Sequence, residues 1–223
     1  MTSLDFNSLR KRMVQEQLEA RNIFDPRVLM AMRDVPRHHF VPGELQHLAY
    51  HDGPLPIGQE QTISQPFIVA YMTQCLRLSG HENVLEIGTG SGYHTAILCQ
   101  LANHVTSIER HGLLAEQAAQ NLESLGITNV ELHEGDGSQG LPDMAPFDAI
   151  VVSAAVPAVP NMLMSQLAEG GRMILPVGDS HNQYLERVLR AGNSWHIEQL
   201  IPVMFVLMIG RYGYSQRATG QRP

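Results

Sequence analysis

Three carboxylates and three glycines in the middle of the chain have the types and the spacing of a nucleotide crevice. Glu86 stands two residues before Gly88, which opens the run Gly88-Thr89-Gly90-Ser91-Gly92. Ahead of it, Val84, Leu85 and Ile87 form a short apolar run of the kind found in a parallel strand covered on both faces. Behind it, Ala96, Ile97 and Leu101 recur at helical spacing. A glycine turn between such elements lets the backbone bend sharply and approach a ligand closely, against a helix N-terminus. Glu109 ends the next apolar run, Val105-Thr106-Ser107-Ile108, 21 positions after Gly88, where an acid typically holds ribose hydroxyls. Asp136, within Gly135-Asp136-Gly137, follows a third apolar run that begins at Val130.

The charges select the class of ligand. A dinucleotide site spaces its glycines Gly-x-Gly-x-x-Gly to seat a pyrophosphate; here the spacing is Gly-x-Gly-x-Gly, with no Lys or Arg between Val84 and Leu101. If the three runs are successive parallel strands, three carboxylates converge on one crevice, which repels phosphate and suits a cation carrying hydroxyls and an amine. S-adenosylmethionine, with its sulfonium, ammonium, ribose and adenine, meets that description. Gly88, Gly90 and Gly92 are expected against the cofactor, Glu109 on the ribose, and Asp136 with Gly137 on adenine or ribose. Glu86 is expected either to steady the glycine loop or to meet the cofactor's amino group.

The elements that position these residues follow from periodicity. Helices are expected over 6–21 and 26–34, the second stopped by Pro36. Residues 36–65 are irregular and rich in Pro, Gly and His, a long loop of the kind that carries function. A helix over 66–78 follows, then strand 84–87, helix 93–101, strand 105–109, helix 113–125, strands 130–133 and 147–152, helix 161–167 and strand 172–175. Two further strands, 184–190 and 199–208, close one edge, and the polar tail 211–223 is expected to be loose. Strands alternating with helices define an α/β fold with a doubly wound, mostly parallel sheet and an N-terminal helical addition. The 223 residues are expected to form a single domain: N-terminal helices and loop (1–65), a cofactor-binding core (66–210) and a tail (211–223).

At this point several segments carry a resemblance. Val84 to Ala96, Ser107-Ile108-Glu109-Arg110, Gly135-Asp136-Gly137 with Gly140, and Ala145-Pro146-Phe147-Asp148-Ala149-Ile150-Val151-Val152 resemble class I S-adenosylmethionine-dependent methyltransferases. More narrowly, Leu55-Pro56-Ile57-Gly58 with Gln61-Thr62-Ile63-Ser64-Gln65-Pro66, and Gly170-Gly171-Arg172 with Leu175-Pro176-Val177-Gly178, resemble the protein-L-isoaspartate O-methyltransferase family. The likeness runs from about Met13 to Leu207. It implies a Rossmann-like fold whose final strand is antiparallel. It also implies methyl transfer to the free carboxyl of L-isoaspartyl residues in damaged proteins, whose ester then collapses to a succinimide and allows return to aspartate.

Ser64 is the residue to which the resemblance assigns the active role, with Thr62 and Ile63 lining the cofactor beside it. The local pattern also fits a plain N-cap, since a serine two residues before Pro66 suits a helix start. The two roles are compatible: a hydroxyl at a positive helix end can also hold an acceptor carboxylate. A carboxyl of ordinary pKa about 3.9 is already ionised at neutral pH, so no general base is required.

Two departures bear on the acceptor. Where the family usually has Val-Arg-Phe-Val-Pro-Leu, this chain has Val203-Met204-Phe205-Val206-Leu207-Met208, and Glu60 stands where bacterial members commonly have the second glycine of Gly-x-Gly. Two other readings therefore stand beside the first: a carboxyl methyltransferase for another peptide or small-molecule acid, or a non-catalytic binder of modified chain ends.

Composition excludes other classes. A net charge of −7 lacks the concentrated positive face of a nucleic-acid binder, and Ser153-Ala154-Ala155 replaces the Asn/Asp-Pro-Pro-aromatic segment of methyltransferases that modify nucleobase amines. No apolar run approaches the ~20 residues of a membrane span, and the first residues lack a signal-peptide pattern, so a cytoplasmic location and no membrane partner are expected. Cys75 and Cys99 are expected as buried free thiols. His47 and His51 stand four apart near His38-His39, but no Cys or carboxylate completes a set, so no metal is expected. A monomer is expected.

Overall fold

The computed structural model describes residues 4–215. Its centre is a seven-stranded sheet. In chain order the elements are helices α1 (Phe6–Arg12) and α2 (Pro26–Asp34), a two-stranded hairpin β1 (Leu55–Gly58) and β2 (Gln61–Ile63), helix α3 (Pro66–Leu76), strand β3 (Asn83–Ile87), helix α4 (Tyr93–Cys99), strand β4 (His104–Glu109), helix α5 (Gly112–Ser124), strands β5 (Val130–Glu134) and β6 (Phe147–Val152), helix α6 (Asn161–Met164), and strands β7 (Leu167–Gly178), β8 (Gln183–Ala191) and β9 (Ser194–Val203).

The sheet order is β5-β4-β3-β6-β7-β8-β9. The first five strands are mutually parallel, and β7–β8 and β8–β9 are both antiparallel. The expected doubly wound sheet with an antiparallel edge is what forms. The chain reverses already at β8, so the final strand, antiparallel to its one neighbour, runs with the parallel set.

Alternation along each central strand supplies two cores. Val84, Ala149, Val151 and Ile174 face one side of the sheet, where they pack with α3, α4 and the apolar faces of the N-terminal helices, including Val14, Leu18 and Met32. Leu85, Ile87, Ile150, Val152, Met173 and Leu175 face the other, with Leu163 of α6. Because both faces are covered, the central strands read as nearly continuous apolar runs.

Four segments differ from expectation. Helix 6–21 is continuous, but its middle, Met13–Leu18, widens to a π turn and its end, Glu19–Arg21, tightens to a 3-10 turn. Residues 36–65 are not simply irregular: 3-10 turns span Arg37–Phe40 and Gly43–Leu48, and β1 pairs with β2 across a two-residue turn. Gln59 and Glu60 both hold positive φ, 51° and 58°, the backbone of a primed hairpin turn. Pro56 inside the first strand and a Gln-Glu turn in place of Asn-Gly conceal that hairpin from a sequence reading. The expected helix 161–167 stops at Met164 because β7 begins at Leu167, pairing with Phe147, and residues between there and Arg172 bulge from the ladder. The last strand starts five residues earlier than expected, since the turn at Gly192 (φ 62°) pairs Ala191 with Ser194.

The tail is a further correction over the residues described. Arg211 N–H donates to Asp136 Oδ2 at 2.8 Å and Tyr214 O–H to the Gly178 carbonyl at 2.7 Å, so 211–215 is packed down; residues 216–223 lie outside the described residues. Cys99 is buried, Cys75 is half-buried, and both are free.

Candidate active site

The carboxyl ends of β3, β4 and β6, the hairpin, the start of α3 and the segment 202–209 enclose one pocket of about 920 Å³, the size of a small-molecule site. Thr62, Ile63, Ser64, Gly88, Gly90, Glu109 and Gly137 all line it, so residues scattered over 75 positions are brought together.

Strand β3 ends at Ile87, and the turn that follows needs backbone open mainly to glycine: Gly88 has φ 93° and Gly90 φ 57°. A side chain at Gly88 would also meet Ser153 at 3.3 Å. Glu109, only 5% exposed, fixes this turn from the neighbouring strand: its Oε2 accepts from Gly90 N–H at 2.9 Å and its Oε1 from His111 N–H at 3.0 Å. Each oxygen keeps a further lone pair for a ligand hydroxyl. Gly137 lies flat against the wall, since a Cβ there would stand 2.5 Å from Ile87 Cγ2.

Three residues expected at the ligand stand behind or beside this wall. Gly92 (φ 93°) is the N-cap of α4 and packs on Ala118 and Leu122 of α5. Glu86 is fully buried; its Oε2 accepts from Thr95 Oγ1 at 2.5 Å and Ser107 Oγ at 2.7 Å, and Ser107 Oγ lies 2.6 Å from Thr89 Oγ1 in the glycine turn. Burial pushes its carboxyl up to about 7, with the Glu109 charge adding to the rise and the two hydroxyls opposing it. Its Oε1 has no partner among the described residues. Asp136 faces away, onto a separate shallow pocket with Arg110 and Tyr214. Burial raises the Asp136 carboxyl, but hydrogen bonds from Arg211 N–H and Ser138 outweigh that and hold it below the ordinary range.

The donor set fits S-adenosylmethionine. Among the described residues Ser91 Oγ in the glycine turn is buried without a partner, as is Glu86 Oε1 behind it. The charged residues lining the pocket are Glu60, Glu109 and Arg110, so anionic groups predominate. Among the described residues, no group of three or more His, Cys, Asp or Glu is arranged to hold a metal ion, and no helix is long and apolar enough to cross a membrane.

Ser64, also on the lining, is half-buried. It is not the N-cap. Gln65 takes that position with φ −49° and ψ 139°, Pro66 is the first helical residue, and no side chain caps α3. The N–H groups of a helix's first turn have no acceptor in the helix itself. His94, also on the lining, is kept neutral: burial lowers it to about 4, and its Nε2 lies 3.0 Å from Thr73 Oγ1. Sequence reasoning missed His94, and also the part played by 202–209, whose apolar run reads as strand. Met208 N–H and the Val206 carbonyl both bond to Ala155, which lays this segment across the strand ends.

A mostly parallel sheet in this order, whose strand β3 runs into a glycine turn gripped by an acid from the adjacent strand, defines a class I S-adenosylmethionine-dependent methyltransferase. Within that class, residues 8–213 match the family model described as protein-L-isoaspartate(D-aspartate) O-methyltransferase. The chain belongs to that family. It is 52% identical to protein-L-isoaspartate O-methyltransferase 1 of Rhodopseudomonas palustris over 97% of this chain and 89% of the relative. It is 54% identical to protein-L-isoaspartate O-methyltransferase 2 of Pelobacter propionicus over 92% of each. A solved protein-L-isoaspartate O-methyltransferase superposes with a TM-score of 0.83 at 29% identity, covering 92% of this chain and 67% of the other.

Proposed function

We propose that this enzyme, which transfers a methyl group from S-adenosylmethionine to the free carboxyl of L-isoaspartyl residues in proteins, holds its two substrates at opposite ends of the one pocket. The observation that carries this reading is Ser64: a hydroxyl on the pocket wall with no hydrogen-bond partner among the described residues, beside an uncapped helix start and facing the same cavity as Glu109.

Bound cofactor supplies an electrophilic methyl on a sulfonium that leaves as a neutral thioether. The chain supplies position. Glu109 takes the ribose hydroxyls, Gly88, Gly90 and Gly137 let the backbone close on the cofactor, and Thr62 and Ile63 cover it from the hairpin. Glu86 and Gly92 support the glycine turn from behind. Asp136 reaches the cofactor only through Gly137, its neighbour, while its own carboxylate anchors the segment at Arg211.

Ser64 and the first-turn N–H groups of α3 hold one oxygen of the acceptor carboxylate at the positive end of the helix, leaving the other oxygen in line with the methyl. An ionised carboxylate needs no base, and His94, neutral and turned to Thr73, offers none. Near-attack placement and exclusion of water are then the sources of rate.

The test is transfer of labelled methyl from S-adenosylmethionine to two peptides that differ only in an isoaspartyl or a normal aspartyl linkage. Label is expected on the isoaspartyl peptide alone. Equal labelling of both, or of neither while cofactor still binds, overturns the acceptor assignment.

A further inference from the structure

Gln65 sits at the N-cap of α3, yet its side chain turns away from the helix. Its Nε2 donates to Asp52 Oδ1 at 2.7 Å and reaches the Asp52 carbonyl at 3.4 Å. Asp52 is itself gripped by Arg21, whose Nη1 lies 3.1 and 3.0 Å from Oδ1 and Oδ2. The Arg21 guanidinium also lies over the Phe67 ring, 3.7 Å from its centroid. Arg21 ends the first helical segment, Asp52 belongs to the loop before the hairpin, and Gln65 and Phe67 flank Pro66. The N-terminal helices thus reach the start of α3 by one chain of polar contacts, none of it within the pocket except Gln65.

The consequence lies in what Gln65 does not do. Its side-chain carbonyl can accept hydrogen bonds, and uncapped first-turn N–H groups are the donors most in want of one. Left free, that carbonyl competes with an incoming carboxylate for the same donors.

We propose that Asp52, braced by Arg21, is a positioning residue for the acceptor: by holding the Gln65 amide aside it keeps the start of α3 and the Ser64 hydroxyl open to the substrate carboxylate. This rests on the acceptor reading of Ser64 given above. The Arg21–Asp52 pair has side chains 39% and 44% exposed, and pairs of that kind contribute little to stability by themselves, so variants here are expected to fold.

Steady-state kinetics with an isoaspartyl peptide test it. Asp52→Ala is expected to raise the acceptor KM about fivefold, the scale of one helix cap, with the KM for S-adenosylmethionine unmoved. Adding Gln65→Ala to that variant removes the competitor and returns the acceptor KM to within about twofold of wild type. An acceptor KM unchanged in Asp52→Ala, or one still raised in the double variant, overturns the proposal, the second outcome marking Asp52 as a plain loop brace. If wild type itself transfers nothing to the isoaspartyl peptide, the acceptor reading falls and takes this inference with it; failure in the variants alone leaves that reading intact.

Discussion

The two sites proposed within the pocket are built in opposite ways. At the nucleotide end the acids are buried in the sheet and each is tied down: Glu109 by two backbone N–H groups, Glu86 by two hydroxyls. At the proposed acceptor site the groups stand open: among the described residues Ser64 has no hydrogen-bond partner and α3 no side-chain cap, and Met204 is 65% exposed. A rigid end suits a ligand that is the same in every turnover. An open end suits a residue presented by many different damaged chains, because donors left unoccupied lose no internal bond when the substrate arrives.

That contrast breaks most visibly at Glu109. On the proposed reading Glu109→Ala removes two charged hydrogen bonds to ribose and loosens the Gly90 turn, so at about 1.5–3 kcal/mol per bond S-adenosylhomocysteine affinity is expected to fall on the order of 1,000-fold. Calorimetric titration checks it, and an unchanged affinity would remove Glu109 from the cofactor site.

Glu86 tests how tightly the same end is closed. Its folded-state pKa of about 7 lies above the ordinary 4.5, so the folded protein holds a proton that the unfolded chain has released between those values. Wild-type stability therefore falls as pH rises from about 4.5 to 7, and Glu86→Gln does not share that loss. The variant should match wild type near pH 4.5 and exceed it above pH 7, by on the order of 3 kcal/mol. Thermal unfolding across that range reads the difference; parallel curves would place the Glu86 carboxylate in a better-solvated setting.

At the open end the effects are smaller. Ser64→Ala is expected to lower kcat/KM for an isoaspartyl peptide about tenfold, the loss of one hydrogen bond to a charged group. Met204→Arg sharpens the contrast from the other side by adding a cation to the rim: the acceptor KM should drop about two- to fivefold at low salt, and less as salt screens the exposed charge. Competition assays at two ionic strengths distinguish this gain from a general improvement in folding.

The same division decides what could be read from the sequence. The nucleotide end is local, a strand, a glycine turn and a helix in 17 consecutive residues, with Glu109 one strand later, so periodicity and spacing reveal it. Glu86 and Asp136 are legible as acids near the crevice but not in their direction. Which face of a strand end an acid takes depends on partners remote in sequence, Thr95 and Ser107 for one, Arg211 for the other. The proposed acceptor site is assembled from Ser64 with the start of α3 and from 202–209, two pieces far apart in sequence that meet only after folding. There the local signals misled: an N-cap serine that caps nothing, a loop that hides a hairpin, and an apolar run that reads as strand yet crosses the strand ends.

The most direct test of two separately built ends is the pair of Michaelis constants, for S-adenosylmethionine and for an isoaspartyl peptide, in Ser64→Ala and Glu109→Ala side by side. A crossed pattern is expected, with Ser64→Ala raising only the peptide constant and Glu109→Ala only the cofactor constant. Both constants rising together in each variant would contradict it and show the pocket to be one undivided site.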